Sequence, residues 1–243
     1  MALGFVDYVN GTLFTIFSLL SLLIGIRILL RYFKVKKNSF VFVGLAWIFL
    51  TSPWFPSMIA FFNAIFLGFS PGLIQTIYFL LGNIFVPLAS FCWIAALTEL
   101  LYRKYRNYLL PIFIIYRLIF YIVFFLQLIL DQSAIGTIIG DIDVKYNPIS
   151  FVSFYYISIL VLFLITGIIF AKQTINSSDK EIRIKSRFLL LAFIIFPIGV
   201  ILDGLIEKFL LTIILMRILE IGGTICFYFG FILPKSVERI FVK

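Results

Sequence analysis

Residues 39–98 read SFVFVGLAWIFLTSPWFPSMIAFFNAIFLGFSPGLIQTIYFLLGNIFVPLASFCWIAALT. From Ser39 to Thr98 there is no Asp, Glu, Lys or Arg in sixty consecutive positions. A water-soluble domain cannot be built from such a stretch. It is long enough for two helical crossings of a bilayer, each of which takes ~20 apolar residues. The strongest turn signal within it is Gly68-Phe69-Ser70-Pro71-Gly72, which divides it into one span within 39–67 and another within 73–102. At about 1.5 Å per residue both exceed a hydrocarbon core of roughly 30 Å, so they must tilt, kink or project beyond the lipid. Pro53, Pro56 and Pro87 are the expected kink points.

Outward from this block the pattern repeats. Apolar runs at 12–32, 108–130, 148–171, 187–205 and 209–233 complete a set of seven expected spans. They are separated by short polar loops, including 131–147 and 172–186, and followed by a short basic tail after Pro234. The chain of 243 residues is 63% hydrophobic and 13% charged, about half the charge of a soluble domain. No polar stretch is long enough for a separate soluble domain, so one membrane domain over 1–243 is expected. The N-terminus lacks the basic lead of a cleavable signal peptide, because its basic cluster follows the first span.

The charged residues orient the bundle. One set of loops carries Arg31, Lys34, Lys36, Lys37, Arg103, Lys104, Arg106, Lys172, Lys180, Arg183, Lys185, Arg187, Lys235, Arg239 and Lys243, whereas the other carries Lys145 and Lys208. The positive-inside rule then predicts an all-α integral membrane protein, a seven-transmembrane helix bundle with its N-terminus outside and its C-terminus cytoplasmic. A multi-pass place in the cell membrane follows. The net charge of +9 is accounted for by these loops and not by a nucleic-acid surface; anionic lipids at the inner face are the expected partners.

Besides Arg31 and Arg187 at span ends, six charged residues fall inside the expected spans: Arg27, Glu99, Arg117, Asp203, Arg217 and Glu220. A lone charge in hydrocarbon costs ~2.5 kcal/mol or more, so each should face the interior and find an opposite partner. Matching by depth suggests Arg117 with Glu220, Asp203 with Arg217 and Arg27 with Glu99. Arg217 and Glu220 also share a helix face, being three residues apart. Glu99 can alternatively meet Arg103 four residues on. Asn63, Gln75, Asn83 and Gln127 lie towards the outer half of spans two, three and four. With Trp54 and Trp93 they are candidates for a pocket with apolar walls and a few polar groups. Hydrogen bonding between helices is the simpler role for the same amides.

Several chemistries lack their residues. There is no histidine, the commonest general base and metal ligand, and Cys92 and Cys226 stand in no metal-ligand spacing, so neither a catalytic nor a metal site is expected. The last span has Arg217 but no lysine. Because arginine stays protonated, covalent retinal is excluded and no cofactor is expected. No glycine-rich phosphate loop is present.

Span three contains Pro87-Leu88-Ala89-Ser90-Phe91-Cys92-Trp93, then Ala95-Ala96-Leu97-Thr98-Glu99, then Tyr102-Arg103. This resembles the third-span pattern of the seven-transmembrane sensor module of prokaryotic histidine kinases, over about 20 residues plus the overall layout. The chain departs from that family in ending nine residues after Pro234, without an output domain. The resemblance implies a receptor-like sensor of a small or lipophilic ligand that signals through a separate cytoplasmic protein. Pro53, Pro87 and Pro197 are the flex points and the buried ion pairs the latches expected of such a sensor. Two alternatives remain at this level: a small-solute, ion or lipid carrier, and a structural membrane subunit of a larger complex.

Overall fold

The computed structural model describes residues 3–66, 75–140, 142–206 and 208–241. Among them are seven helical segments long and apolar enough to cross a membrane. Span one is α1 (Phe5–Leu30) followed by the short α2 (Tyr32–Val35). Span two is α3 (Ser39–Leu50) and α4 (Phe55–Phe66), joined by a 3-10 turn at Ser52–Trp54. Span three is α5 (Gln75–Asn83) and α6 (Val86–Leu100). Spans four to seven are α7 (Arg106–Leu130), α8 (Phe151–Thr174), α9 (Lys180–Leu205) and α10 (Leu210–Phe231), and α11 (Lys235–Phe241) follows the last. The turn expected at 68–72 lies outside the described residues.

The breaks in spans two and three have chemical causes. Proline has no N–H, so Pro53 leaves the Phe49 carbonyl without its helical donor. The Ser52 hydroxyl donates to that carbonyl instead, at 2.9 Å. Pro87 does the same to span three, which parts at Ile84 and Phe85. There Tyr121 of span four donates to the Ile84 carbonyl at 2.8 Å and Tyr156 of span five approaches the Gly82 carbonyl at 3.3 Å. Pro111 and Pro197 are accommodated inside continuous helices.

Several helix ends differ from expectation. Span one begins at Phe5 and not near 12, which places Asn10 inside it. Span six begins at Lys180 and not Arg187, because Asp179 caps it by accepting from the Glu181 and Ile182 amides and Lys185 pairs with Glu181 one turn along. Span five starts at Phe151, capped by Ser150. The expected loop 131–147 contains an antiparallel hairpin, β1 (Gly136–Ile139) and β2 (Asp143–Tyr146), turning through Gly140 at a positive φ of 59°. Its Ile142 is buried against Ala60 and Phe61 of α4. The hairpin thus lies over one end of the bundle, called the hairpin end below; the other, with most of the Lys and Arg, is the basic end.

Packing concentrates on spans six and seven, two and three, and one and two. Small residues let these helices approach closely, as expected where apolar lipid gives no drive for association and van der Waals fit must supply it. A Cβ at Gly44 would stand 2.5 Å from the Gly25 carbonyl oxygen, and one at Gly223 would stand 2.7 Å from the Phe196 Cβ. The aromatic core stacks Trp47 on Phe227 at 3.9 Å and Trp93 on Phe163 at 4.8 Å. Span four is peripheral. Only Phe120, Phe124 and Leu128 are buried along it, and Ile112, Ile115, Leu118 and Ile122 form an exposed apolar face.

The close crossing of Gly25 and Gly44 yields a test. Gly44→Ala meets backbone that cannot swing away and is expected to destabilise the fold by about 1–3 kcal/mol. Gly222→Ala has nothing within 4 Å of the added carbon and should be neutral or stabilising by about 0.5 kcal/mol. Reversible unfolding in mixed micelles compares the two.

Candidate functional site

The strongest polar feature begins at the centre of span seven. Arg217 and Glu220 are both fully buried. Their three-residue spacing puts them on one face of α10, and Arg217 Nη1 donates to Glu220 Oε2. Arg217 Nη2 reaches across to Asp203 Oδ1 of span six at 3.0 Å. The guanidinium plane also sits over the ring of Phe14 in span one, 4.2 Å from its centroid.

From Asp203 the chain of charges continues towards the hairpin end. Lys208, in the connection between spans six and seven, lies 3.9 Å from Asp203 Oδ1 and donates to Asp143 Oδ2 at 2.7 Å. Asp143 belongs to the hairpin. It also accepts from Asn10 Nδ2 of span one at 3.1 Å and from the Val144 amide at 2.7 Å. One connected cluster, Glu220–Arg217–Asp203–Lys208–Asp143–Asn10, therefore links span seven, span six, their connection, the hairpin and span one. Burial opposes the positive charge of Lys208, but Asp203 and Asp143 outweigh it and hold the ammonium above its ordinary range. Glu220 Oε1, Arg217 Nε and Asn10 Oδ1 are buried without a hydrogen-bond partner among the described residues.

Against this cluster lies a cavity of about 330 Å³. Asp143, Asp203 and Lys208 form its polar side. Its apolar walls come from Phe14, Trp54, Phe196, Tyr146 and Tyr156, with Ser57 between them. The walls are braced from behind. The Tyr156 hydroxyl donates to Asn83 Oδ1 at 2.6 Å, Asn83 Nδ2 donates to the Tyr146 hydroxyl at 3.3 Å, and Ser57 bonds Tyr78. Burial pushes the Tyr146 hydroxyl up to about 12, against the pull of its bonds to Tyr156 and Asn83, so it remains a neutral wall. An aromatic box with an ionic floor can seat a small molecule and read its charge.

The expected pocket residues divide. Trp54 borders the cavity, and Asn83 holds its wall from the second layer of contacts. Trp93 does not border it; its indole donates to Thr166 at 2.7 Å deeper in the bundle. Asn63, Gln75 and Gln127 are half-buried at the hairpin end and do not border it either. Span four supplies no wall because it packs at the edge, and spans one and five supply Phe14 and Tyr156 in its place.

The ion pairs also divide. Asp203 meets Arg217. Arg117 does not meet Glu220: it lies over the Phe91 ring, 4.9 Å from its centroid, while Glu220 takes the arginine of its own helix. Arg27 does not meet Glu99: it is exposed, 3.5 Å from the Tyr228 hydroxyl. Glu99 accepts from the Ser39 amide at 3.1 Å and lies 3.8 Å from Arg106. A carboxylate there suits the positive N-terminal end of α3.

Asn10, Asp143, Lys208 and the two tyrosines were missed as site residues. Two signals in the sequence point to some of them: the alternation Ile142-Asp143-Val144-Lys145-Tyr146 after Gly140, and the isolation of Lys208, which shares the hairpin-end loops with Lys145 alone among the Lys and Arg. No family model matches this chain, and no curated protein or solved structure matches it significantly.

Removing one partner from this cluster strands a buried charge. Arg217→Met is expected to destabilise the protein by about 3–5 kcal/mol. Adding Glu220→Gln and Asp203→Asn to that variant should recover part of the loss, because the stranded carboxylates go with it. Denaturant unfolding of the three proteins in micelles measures both effects.

Proposed function

We propose that this chain is a receptor-like seven-helix sensor in the cell membrane, with the hairpin end outside and the basic end in the cytoplasm. The observation that carries this reading is the cavity at the hairpin end, aromatic-walled and set against a buried ionic cluster. The fifteen-to-two bias of loop cations supports the orientation. The resemblance of span three to the sensor module of prokaryotic histidine kinases supports the class.

Span six is the element suited to carry the signal. Phe196, Val200 and Asp203 border the cavity on this helix. Pro197 lies among them and removes one backbone hydrogen bond, which lowers the cost of bending there. The same helix runs to Lys180 at the basic end. A ligand that favours one tilt of span six over another shifts the population of the two at the cytoplasmic face. There a recess of about 250 Å³, bordered by Arg31, Lys185 and Ser186, offers a docking place for a cytoplasmic partner.

A carrier would need a path between the two recesses. Between them stand the stacked rings of Trp47 and Phe227, with Phe193 edge-on to Phe227 at 5.9 Å. That packed layer favours sensing over transport.

The test places spin labels at Lys104→Cys and Ser178→Cys, both exposed at the basic end, in a Cys92→Ala, Cys226→Ala background. The protein is reconstituted in liposomes and given 2-phenylethylamine, 2-phenylethanol and 3-phenylpropionate in turn. A sensor shifts the label-to-label distance distribution with at least one solute and accumulates none of them. Protein-dependent accumulation of radiolabelled solute would replace the sensor by a carrier.

A further inference from the structure

Resting on the sensor reading of the same cavity, we infer that its ligand is an organic cation, a small aromatic or branched apolar body bearing an ammonium group. The ammonium sits between Asp143 and Asp203, in the position held here by the Lys208 side chain.

The first argument is a charge count. Among the described residues the cluster holds three carboxylates, Asp143, Asp203 and Glu220, and two cations, Lys208 and Arg217. Lys145 also borders the cavity, but it is exposed on the hairpin. At the cavity itself the two carboxylates Asp143 and Asp203 therefore face a single buried cation, Lys208. In a low-dielectric surrounding an excess carboxylate draws a counter-ion strongly.

The second argument is the wall. The faces of aromatic rings attract cations, and Phe14, Trp54, Phe196, Tyr146 and Tyr156 surround the space. A bare inorganic ion would leave these rings uncovered. An anion would face two carboxylates, Asp143 and Asp203, with Lys208 already engaged by them. The volume of about 330 Å³ is at the small end of ligand sites, which run from roughly 300 to 1,000 Å³.

The third argument is Lys208 itself. Arg217 is locked inside the bundle, whereas Lys208 sits in the connection between spans and keeps part of its side chain exposed. Its ammonium makes one short contact, to Asp143, and one long one, to Asp203. It is a tethered cation that a ligand ammonium can replace without unfolding the core. Its release would uncouple the connection between spans six and seven from the hairpin, while the ligand ammonium bridges Asp143 to Asp203 of span six, the helix on which the sensor reading depends.

The experiment is calorimetric titration of the full chain in nanodiscs, with empty nanodiscs subtracted. The probes are 2-phenylethylamine, 2-phenylethanol and 3-phenylpropionate, which share one ring and differ in charge. The amine is expected to bind at least tenfold more tightly than the alcohol, and the carboxylate most weakly. Lys208→Met removes the competing ammonium and should tighten the amine at least threefold. Asp203→Asn should weaken it at least tenfold; should that variant fail to fold, the sign of the Lys208→Met effect decides. Preference for the alcohol or the carboxylate, or a weaker amine on Lys208→Met, overturns the cation assignment and leaves the sensor reading standing. Failure of all three probes to bind folded protein removes both.

Discussion

A guanidinium buried in the middle of an apolar helix sets the terms for the rest of this bundle. Taking Arg217 out of water costs several kcal/mol, and only well-placed anions return it. Glu220 supplies one from the same helix and Asp203 supplies another from the neighbouring one. Two anions on one cation then need a further positive charge, which Lys208 provides, and Lys208 in turn calls for Asp143. Each step of this compensation recruits a different part of the chain. The hairpin, the connection between spans six and seven, and the start of span one are thereby held at one end of the molecule.

The same end contains the two broken helices. Irregular backbone at membrane depth is tolerated where neighbouring groups satisfy it or where it borders a cavity. Both conditions hold here. Ser52 and Tyr121 donate to the Phe49 and Ile84 carbonyls beside Pro53 and Pro87. Pro53, Trp54 and Val86, at those breaks, also face the cavity. A continuous helix at either position would fill this space with regular backbone and side chains. The proline breaks and the ionic cluster are thus two requirements of one site, the first making room and the second giving the room a charge.

Depth in a bilayer can be counted along a helix at about 1.5 Å per residue, and this made the spans and the Asp203–Arg217 level readable from residue order. Direction around the helix axis is harder. Arg117 and Glu220 share a depth, but span four stands at the edge of the bundle and turns Arg117 towards Phe91. Glu99 and Arg27 share a depth too, yet the amide of Ser39 and the guanidinium of Arg106 are nearer to Glu99. The pocket amides failed for a similar reason: Asn63, Gln75 and Gln127 have the right level and the wrong neighbours. Asp143 and Lys208 were hidden because loops are read as connections, whereas this loop folds back as a hairpin and inserts a carboxylate.

By itself, the order of residues determined the number of long apolar helices, their approximate limits and the ends at which cations gather. These follow from hydropathy and the cost of unpaired charge, which act locally along the chain. Which charges meet, which helix is peripheral and where a cavity remains were decided only in three dimensions. Those outcomes depend on the rotation of each helix and on contacts between residues as distant as Asn10 and Asp143, and no local pattern encodes either.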